Sequence, residues 1–424
     1  MRTKELLHIF FPLLMSFLAN RLLTQTDIIM LSNLGTEAVA AFSIPSRIMI
    51  IDIIAAMSII PVLSVTISKN KKELQKPIIE KCFSLCITIS TFLCFLGLIA
   101  YPYLLQFMNV PPNTQAYALE GLFWLTLAIP FRFLKSTGNI VLHSLGKGNE
   151  VVFIAMAEVV ANFIINYILI FVLNMGFEGA FISTFLVSGL AMLFILFRVN
   201  ILTDVSYTPK IDITWSKKFL RGASAEWIRL FSERLVLLVL IAFFMANGVE
   251  VLASYSVVSE WENLLFLPLI AFMRAIGIFY PKHYKAAEVS LFFNDYRSLF
   301  VVISFCLLLL GLGFALFSEN IGISIYSLES KSLAWWAAYM LIFPLYLPVR
   351  FLSTLIMGVG FATENYKNVS KIDVILSWVI LLPVVYIGTY YDNSLLTWSG
   401  FLLTEVLFLV FLIYQLKNKS LVAK

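Results

Sequence analysis

The sequence is short of charged residues, which make up 13% of its 424 positions, whereas soluble globular domains carry about 25%. Hydrophobic residues make up 60%. Apolar runs of about 20 residues, long enough to cross a bilayer as helices, recur along the chain with short polar breaks. The composition excludes a soluble protein and predicts a polytopic α-helical membrane protein whose main environment is the lipid bilayer. The net charge of +5 is spread over short loops, which argues against a nucleic-acid partner.

Cysteine and histidine, which supply most zinc ligands, are also scarce. The four cysteines lie within apolar runs, so we expect neither a disulfide framework nor a metal or cofactor site. The three histidines are widely scattered, which leaves a membrane-embedded enzyme as a remote alternative. The phosphate-binding pattern G-x-x-x-x-G-K-[ST] is absent. A transporter with this sequence would therefore draw its energy from an ion gradient.

The apolar runs predict about twelve transmembrane helices. Lysines cluster after the second, sixth, eighth and tenth spans and at the C-terminus, whereas the loops after the first, third and fifth spans have no Lys or Arg. By the positive-inside rule, we expect both termini in the cytoplasm and the protein in the inner (plasma) membrane. The predicted spans lie near residues 6–32, 38–67, 82–107, 117–143, 151–173, 179–200, 219–246, 250–280, 297–318, 332–358, 370–390 and 395–416.

The two halves of the sequence resemble each other. Positions 21–46 match positions 234–259 without gaps, at a constant offset of 213. With six spans in each half, both halves enter the membrane from the same side, which predicts parallel repeats. We therefore expect an N-lobe over residues 1–210 and a C-lobe over 211–424, enclosing a central cavity. The identical pairs are Arg21 and Arg234, Leu22 and Leu235, Ile28 and Ile241, Gly35 and Gly248, Glu37 and Glu250, Ala40 and Ala253, Ser43 and Ser256, and Ser46 and Ser259.

Four segments resemble the multidrug and toxic compound extrusion (MATE) family, within the multidrug/oligosaccharidyl-lipid/polysaccharide exporter superfamily. They are TDIIMLSNLGTEAVAAFS at 26–43, NFIINYILIFVLNMGFEGAFIST at 162–184, SERLVLLVLIAFFMANGVEVLASYS at 232–256 and SWVILLPVVYIG at 377–388. The resemblance implies two six-helix bundles arranged in a V. It also implies export of a small-molecule substrate such as a drug, in exchange for inward H⁺ or Na⁺. We expect the protein to function as a monomer.

Two carboxylates within spans are the candidates for ion coupling, because a charge at the bilayer centre is costly. Asp27 in the first span matches the aspartate that the family carries on its first helix, and Asn20 shares its helical face. Glu233 in the seventh span coincides with the family's C-lobe carboxylate. The alternatives are that the interface hydrates Asp27 and that Arg229 neutralises Glu233 in a structural ion pair.

A polar stripe in the fifth span, formed by Glu158, Asn162 and Asn166, is typical of a cavity lining. Asn162 fits an asparagine of the family, whereas Asn166 stands where one subgroup has aspartate, which puts a two-aspartate N-lobe site in doubt. In the tenth span, where the drug-coupling subgroup has a carboxylate, this sequence offers Arg350 among its polar residues. A two-carboxylate Na⁺ site in the C-lobe is therefore also in doubt.

Arginines within spans are unusually frequent, and Arg21, Arg132 and Arg350 are cavity candidates together with Asn139, which shares a face with Arg132. One hypothesis is an anionic or zwitterionic cargo, such as a siderophore. The alternative is that each arginine pairs with an acid or extends its charge to an interface. An arginine-rich cavity would also suit a flippase for lipid-linked oligosaccharide, which is the second candidate function.

Overall fold

The computed structural model describes residues 2–32, 45, 49–107, 112–208, 210–328 and 330–422. Every regular element in these ranges is a helix. Nine continuous helical segments in these ranges, some of which join two of the helices named below, are long and apolar enough to cross a membrane. Large apolar side chains are exposed along them, for example Phe95, Phe153 and Leu193. In a membrane such side chains face lipid, so the exposed apolar surface is the expected one.

The first compact unit covers Met1–Trp227. Within it, α5 packs against α2, α3 and α7, and α1 packs along α6. The unit ends inside a helix, beyond the N-lobe boundary predicted at residue 210. Its helices are α1 (Arg2–Ser32), α2 (Ile50–Lys69), α3 (Lys72–Phe107), α4 (Pro112–Leu127), α5 (Ile129–Ser144), α6 (Gly148–Tyr167), α7 (Gly176–Thr203) and the first part of α8 (Ile213–Ala246).

The second compact unit covers Ile228–Lys424 and is organised around one long helix, α14. This helix packs against α9, α10, α12 and α17. Besides the remainder of α8, the unit contains α9 (Val249–Leu265), α10 (Leu267–His283), α11 (Val289–Asp295), α12 (Arg297–Leu316), α13 (Ser318–Tyr326), α14 (Ser330–Ala362), α15 (Tyr366–Leu376), α16 (Leu382–Tyr390) and α17 (Ser394–Val422).

The predicted all-helical polytopic fold is confirmed, and two of the predicted spans are interrupted. The fourth is divided between α4 and α5 at Ala128, and the eighth between α9 and α10 at Phe266. A proline follows each break by two residues, at Pro130 and Pro268, where the missing N–H and the ring interrupt the helical hydrogen bonds. The internal-repeat residues between Ser32 and Met49, and with them the start of the second predicted span, lie outside the described residues except for Pro45, whereas the rest of that span forms α2.

The two units share a local distortion. In the first unit, α6 continues as a π-helix over Ile168–Val172, and in the second, a π-helix over Ser377–Leu381 joins α15 to α16. These elements correspond to the fifth and eleventh predicted spans, which occupy the same place in the two halves. A π-helix is uncommon and is frequently found at a functional site. The shared distortion therefore directs attention to α6 and α15.

The close approach of α12 to α14 gives a first prediction. A Cβ atom at Gly311 would lie 2.6 Å from Cα of Pro344, whereas one at Gly313 would have no neighbour within 4 Å. We expect Gly311→Ala to force the helices apart and to cost about 1–3 kcal/mol. Gly313→Ala, the matched control, should be neutral or slightly stabilising because alanine favours a helix. Thermal unfolding in detergent measures both, and equal unfolding temperatures would contradict the proposed close packing.

The loop from α7 to α8 is fastened to the start of α3. Lys76 Nζ lies 2.9 Å from Asp204 Oδ2, and Lys81 Nζ lies 2.8 Å from Asp212 Oδ2. The backbone N–H of Ser206 also donates to Glu80 Oε1 at 2.9 Å. The Lys81 side chain, which donates to Asp212, holds the pKa of this carboxyl below its usual value, and the backbone N–H of Trp215 acts in the same direction. We call this set of contacts the loop clasp.

The loop clasp predicts a specific pH dependence. The pKa of Asp212 is lowered in the folded protein, so the ionised carboxylate stabilises the loop clasp at neutral and mildly acidic pH. This stabilisation is lost as the pH falls through the lowered pKa. Hydrogen exchange in residues 204–212 should therefore stay constant from neutral to mildly acidic pH, after correction for intrinsic rates. Lys81→Gln should speed this exchange at neutral pH, whereas Lys72→Gln on the same helix should not. Equal exchange in both variants would refute the clasp.

Candidate functional site

The buried carboxylate of Asp27 on α1 is the centre of the site in the first unit. Its side chain is nearly inaccessible, with 3% exposure, although the residue lies close to the end of a membrane-spanning helix. Asn162 Nδ2 donates to Asp27 Oδ1 at 2.6 Å, and Asn166 Nδ2 donates to the same oxygen at 2.7 Å. The structure thus brings together three of the residues that the sequence indicated, and hydration at the interface is not what satisfies Asp27.

The positions of the two asparagines follow from helix geometry. Residues four apart lie on the same helical face, and α1 packs along α6, so both amides reach the same carboxylate. Ser183 on α7 donates to Asn162 Oδ1 at 3.3 Å, which fixes the orientation of that amide. The Oδ1 atom of Asn166 is buried and has no hydrogen-bond partner among the residues that the structure describes. A buried acceptor left open in this way marks a place for a donor.

The electrostatics of Asp27 are unusual because its hydrogen-bond donors are neutral. Among the described residues, no lysine or arginine forms an ion pair with it. A buried carboxylate without a cationic partner is costly in a low-dielectric medium. Binding a proton or a small cation removes that charge. The geometry therefore suits a group that gains and loses a positive charge during function.

Other candidates in the first unit have separate environments. Glu158 accepts a hydrogen bond from Lys135 in a largely buried ion pair, a partner that the sequence analysis did not identify. Arg132 donates to the backbone oxygen of Leu125 at 3.2 Å. Asn139 is partly buried, with its Oδ1 atom enclosed.

The two remaining candidates of the first unit, Asn20 and Arg21, are exposed and lie outside the Asp27 site. Thr24, three residues before Asp27, donates to the Asn20 carbonyl at 3.3 Å.

Glu233 does not have the burial expected of a coupling carboxylate. Its side chain is 54% exposed, and its Oε2 atom lies 3.5 Å from Arg229. Arg229 lies closer, at 3.1 Å, to Asp373 on α15. The expectation that Glu233 is buried is wrong, because its side chain lies on an exposed face of α8. Its role in ion coupling stays a prediction.

A cluster of charged and aromatic side chains lies instead around α14 in the second unit. Arg350 pairs with Glu405 of α17, whose carboxylate also accepts a hydrogen bond from Ser353. Tyr339 donates to Glu262 of α9 at 2.8 Å. The guanidinium of Arg350 lies 5.4 Å from the ring centre of Phe266. We call these residues, with Arg229 and Asp373, the second-unit cluster.

The sequence analysis missed all three acids of the second-unit cluster. Glu405, Glu262 and Asp373 were not selected, although each is an acid within a predicted apolar span. Glu405 is the only charged residue between positions 394 and 416, which is the signal that could have identified it. Arg350 was selected as a lining residue, and the structure supports the alternative for it, a structural ion pair.

Comparisons with known proteins agree with this fold. The probable multidrug resistance protein NorM of Halalkalibacterium halodurans is 22% identical over 348 residues, which is 78% of this chain and 74% of that protein. The Vibrio cholerae MATE transporter VcmN in its bent form superposes with a TM-score of 0.85 at 18% identity, covering 100% of this chain and 97% of that one. A MATE structure in complex with MaL6 superposes with a TM-score of 0.84 at 15% identity, covering 98% and 97%.

The match to a family model lies in the N-terminal part of the chain, which contains Asp27. A family model described as MatE matches residues 12–168, which include Asp27, Asn162 and Asn166. Together, the family match, the NorM relative and the whole-length fold similarity identify MATE transporters as proteins that this chain resembles, and its fold is that of a multi-pass membrane protein.

Proposed function

We propose that this MATE-type transporter is an antiporter that exports a small organic compound in exchange for inward cations, with Asp27 as the coupling group of the first unit. One observation carries the proposal: a buried carboxylate held by the neutral amides of Asn162 and Asn166. Such a group is stable without its charge and costly with it. Cation uptake and release at Asp27 can therefore drive a structural change.

The hydrogen bonds of Asp27 suggest how that change would occur. Bonds to an ionised carboxylate are roughly twice as strong as bonds between neutral groups. When Asp27 is ionised, the two amides tie α1 to α6, and when it is neutral that tie is weaker. The free Oδ1 of Asn166 can then accept a hydrogen bond from a protonated Asp27. Protonation would thus rearrange the contact between α1 and α6, and the lobes would alternate access to the two sides of the membrane.

The cargo is a small organic compound, and the arginines do not identify it further. The anionic cargo and the flippase were both suggested by arginines within spans. Arg350 is neutralised by Glu405, so it supplies no net positive charge to a cavity. This pairing removes one of the three arginines that suggested both ideas, and Arg21 and Arg132 do not decide between them. We retain the proposals of a single-chain transporter with both termini in the cytoplasm, since the lysine-rich loops support that orientation.

Inverted membrane vesicles test the proposed function. An inside-acid gradient should drive uptake of at least one fluorescent compound from a panel of cations, zwitterions and anions, and nigericin should abolish the uptake. Vesicles without the protein are the control. Uptake that is independent of any H⁺ or Na⁺ gradient, or transport of none of the panel, would count against the proposal.

A further inference from the structure

The second-unit cluster contains more acids than bases. Three carboxylates, Glu262, Asp373 and Glu405, face two guanidinium groups, Arg229 and Arg350. When all five are ionised, the cluster has one excess negative charge; Glu233, which also lies 3.5 Å from Arg229, is 54% exposed and is not counted. Arg229 pairs with Asp373 and Arg350 pairs with Glu405, so the excess belongs to Glu262. An excess charge that is partly buried in this way favours the uptake of a further positive charge.

The place that a free metal cation would take is already occupied by an arginine. Arg350 pairs directly with Glu405, and the charges of Glu262 and Asp373 act on it through space. Both oxygens of Glu405 are engaged, one by Arg350 and the other by Ser353. A metal ion bound among these carboxylates would lie beside a guanidinium of the same sign and would find the Glu405 oxygens already used. A proton bound to Glu262 needs neither a separate ion site beside the guanidinium nor the oxygens of Glu405.

We propose that Arg350 is a tethered counter-ion of the second-unit cluster, and that the cluster consequently takes up H⁺ on Glu262 and excludes Na⁺. This inference rests on the proposed ion-coupled antiport and names the ion that the second unit uses. Tyr339, a neutral group, donates to Glu262, and no described arginine or lysine forms an ion pair with it. Uptake of one proton by the Glu262 carboxylate brings the cluster to zero net charge.

The surroundings of Glu262 are compatible with this role. Besides Tyr339, the ionisable groups that act on it are Arg350 and Tyr346 from α14, Glu405 from α17 and Tyr255 from its own helix. Arg350 supplies the only positive charge in this set, and the nearby acid, Glu405, is paired with it. The Arg350 side chain is 37% exposed, whereas that of Glu405 is 9% exposed, so Arg350 is the more accessible partner of the pair.

The experiment removes the tethered charge and asks whether Na⁺ replaces it. In proteoliposomes, wild-type transport should be unchanged when Na⁺ replaces K⁺ at constant pH and ionic strength. Arg350→Met should acquire a Na⁺ stimulation of about tenfold, within the usual range of coupling between sites. Glu262→Gln added to Arg350→Met should lose that stimulation, and Arg350→Lys, which keeps a tethered cation, should remain insensitive to Na⁺.

A binding readout separates this inference from the proposed function. Trp261 neighbours Glu262 in sequence, so tryptophan fluorescence of the purified protein should respond to NaCl, relative to KCl, in Arg350→Met and not in the wild type. A Na⁺-specific response of the wild type, or none in a monodisperse Arg350→Met protein, overturns the inference. Should Arg350→Met fail to fold, the Na⁺ response of the wild type decides: its absence supports the tethered cation and its presence refutes it. Absence of any gradient-driven transport would refute the antiport function, while the fluorescence titration would still report on Arg350.

Discussion

Replacing Asp27 with asparagine is expected to reduce gradient-driven transport to background. The substitution keeps the size of the side chain and its capacity to accept hydrogen bonds from Asn162 and Asn166. It removes the charge that a proton or cation must neutralise. Without a change of charge, the contact between α1 and α6 would no longer depend on the ion gradient. Uptake into inverted vesicles under an imposed pH gradient measures the loss.

The matched control for Asp27→Asn lies on the same helix. Asn20 is exposed and does not contact Asp27, so Asn20→Ala should retain most of the wild-type rate. A second control compares protein amount and monodispersity, since the asparagine variant should fold normally. Full gradient-driven transport by Asp27→Asn would show that the first unit couples to the gradient in another way.

Replacing Glu405 with leucine is expected to produce the largest loss of stability. The substitution leaves Arg350 without its ion-pair partner and Ser353 without its acceptor. Removing one partner of a buried ion pair costs 3–5 kcal/mol, and about 3 kcal/mol is expected here because the Arg350 side chain is 37% exposed. Thermal unfolding of the purified protein in detergent measures the decrease.

The double variant provides the control for the ion pair. Glu405→Leu combined with Arg350→Leu removes both charges, so it should be more stable than Glu405→Leu alone, because an apolar pair can replace an ion pair at little cost. Equal stability of the single and double variants would mean that Arg350 finds another partner when Glu405 is absent. In that event the assignment of Glu405 as the main partner of Arg350 would be wrong.

Much of the fold and half of the first-unit site could be predicted from sequence because their signals are local. The apolar runs indicate spans directly, and the spacing of Asn162 and Asn166 indicates one helical face. Asp27 stands out as an acid in an apolar run. The sequence around Asp27 does not show which helix packs against it. The resemblance to a known family, and not the spacing of the asparagines, suggested that Asp27, Asn162 and Asn166 act together.

The remainder depended on packing between distant parts of the chain. Lys135 and Glu158 are on different helices, as are Arg350 and Glu405, so their pairing follows from how those helices pack. Glu233 was expected to be buried because its span is apolar, but a helix in a membrane has both inner and outer faces. The residue type and its predicted depth in the membrane do not show on which face of its helix a side chain lies.

The central claim is that cargo and cation movement are linked through Asp27, and reciprocal flux tests it most directly. Proteoliposomes containing a pH indicator would be loaded with a compound that the vesicle panel shows to be transported, and then diluted so that the compound flows out. The account predicts opposing proton movement in the wild type and none in Asp27→Asn. Outflow of the compound through the wild type without countermovement of H⁺ or Na⁺, or undiminished proton movement in Asp27→Asn, would contradict it.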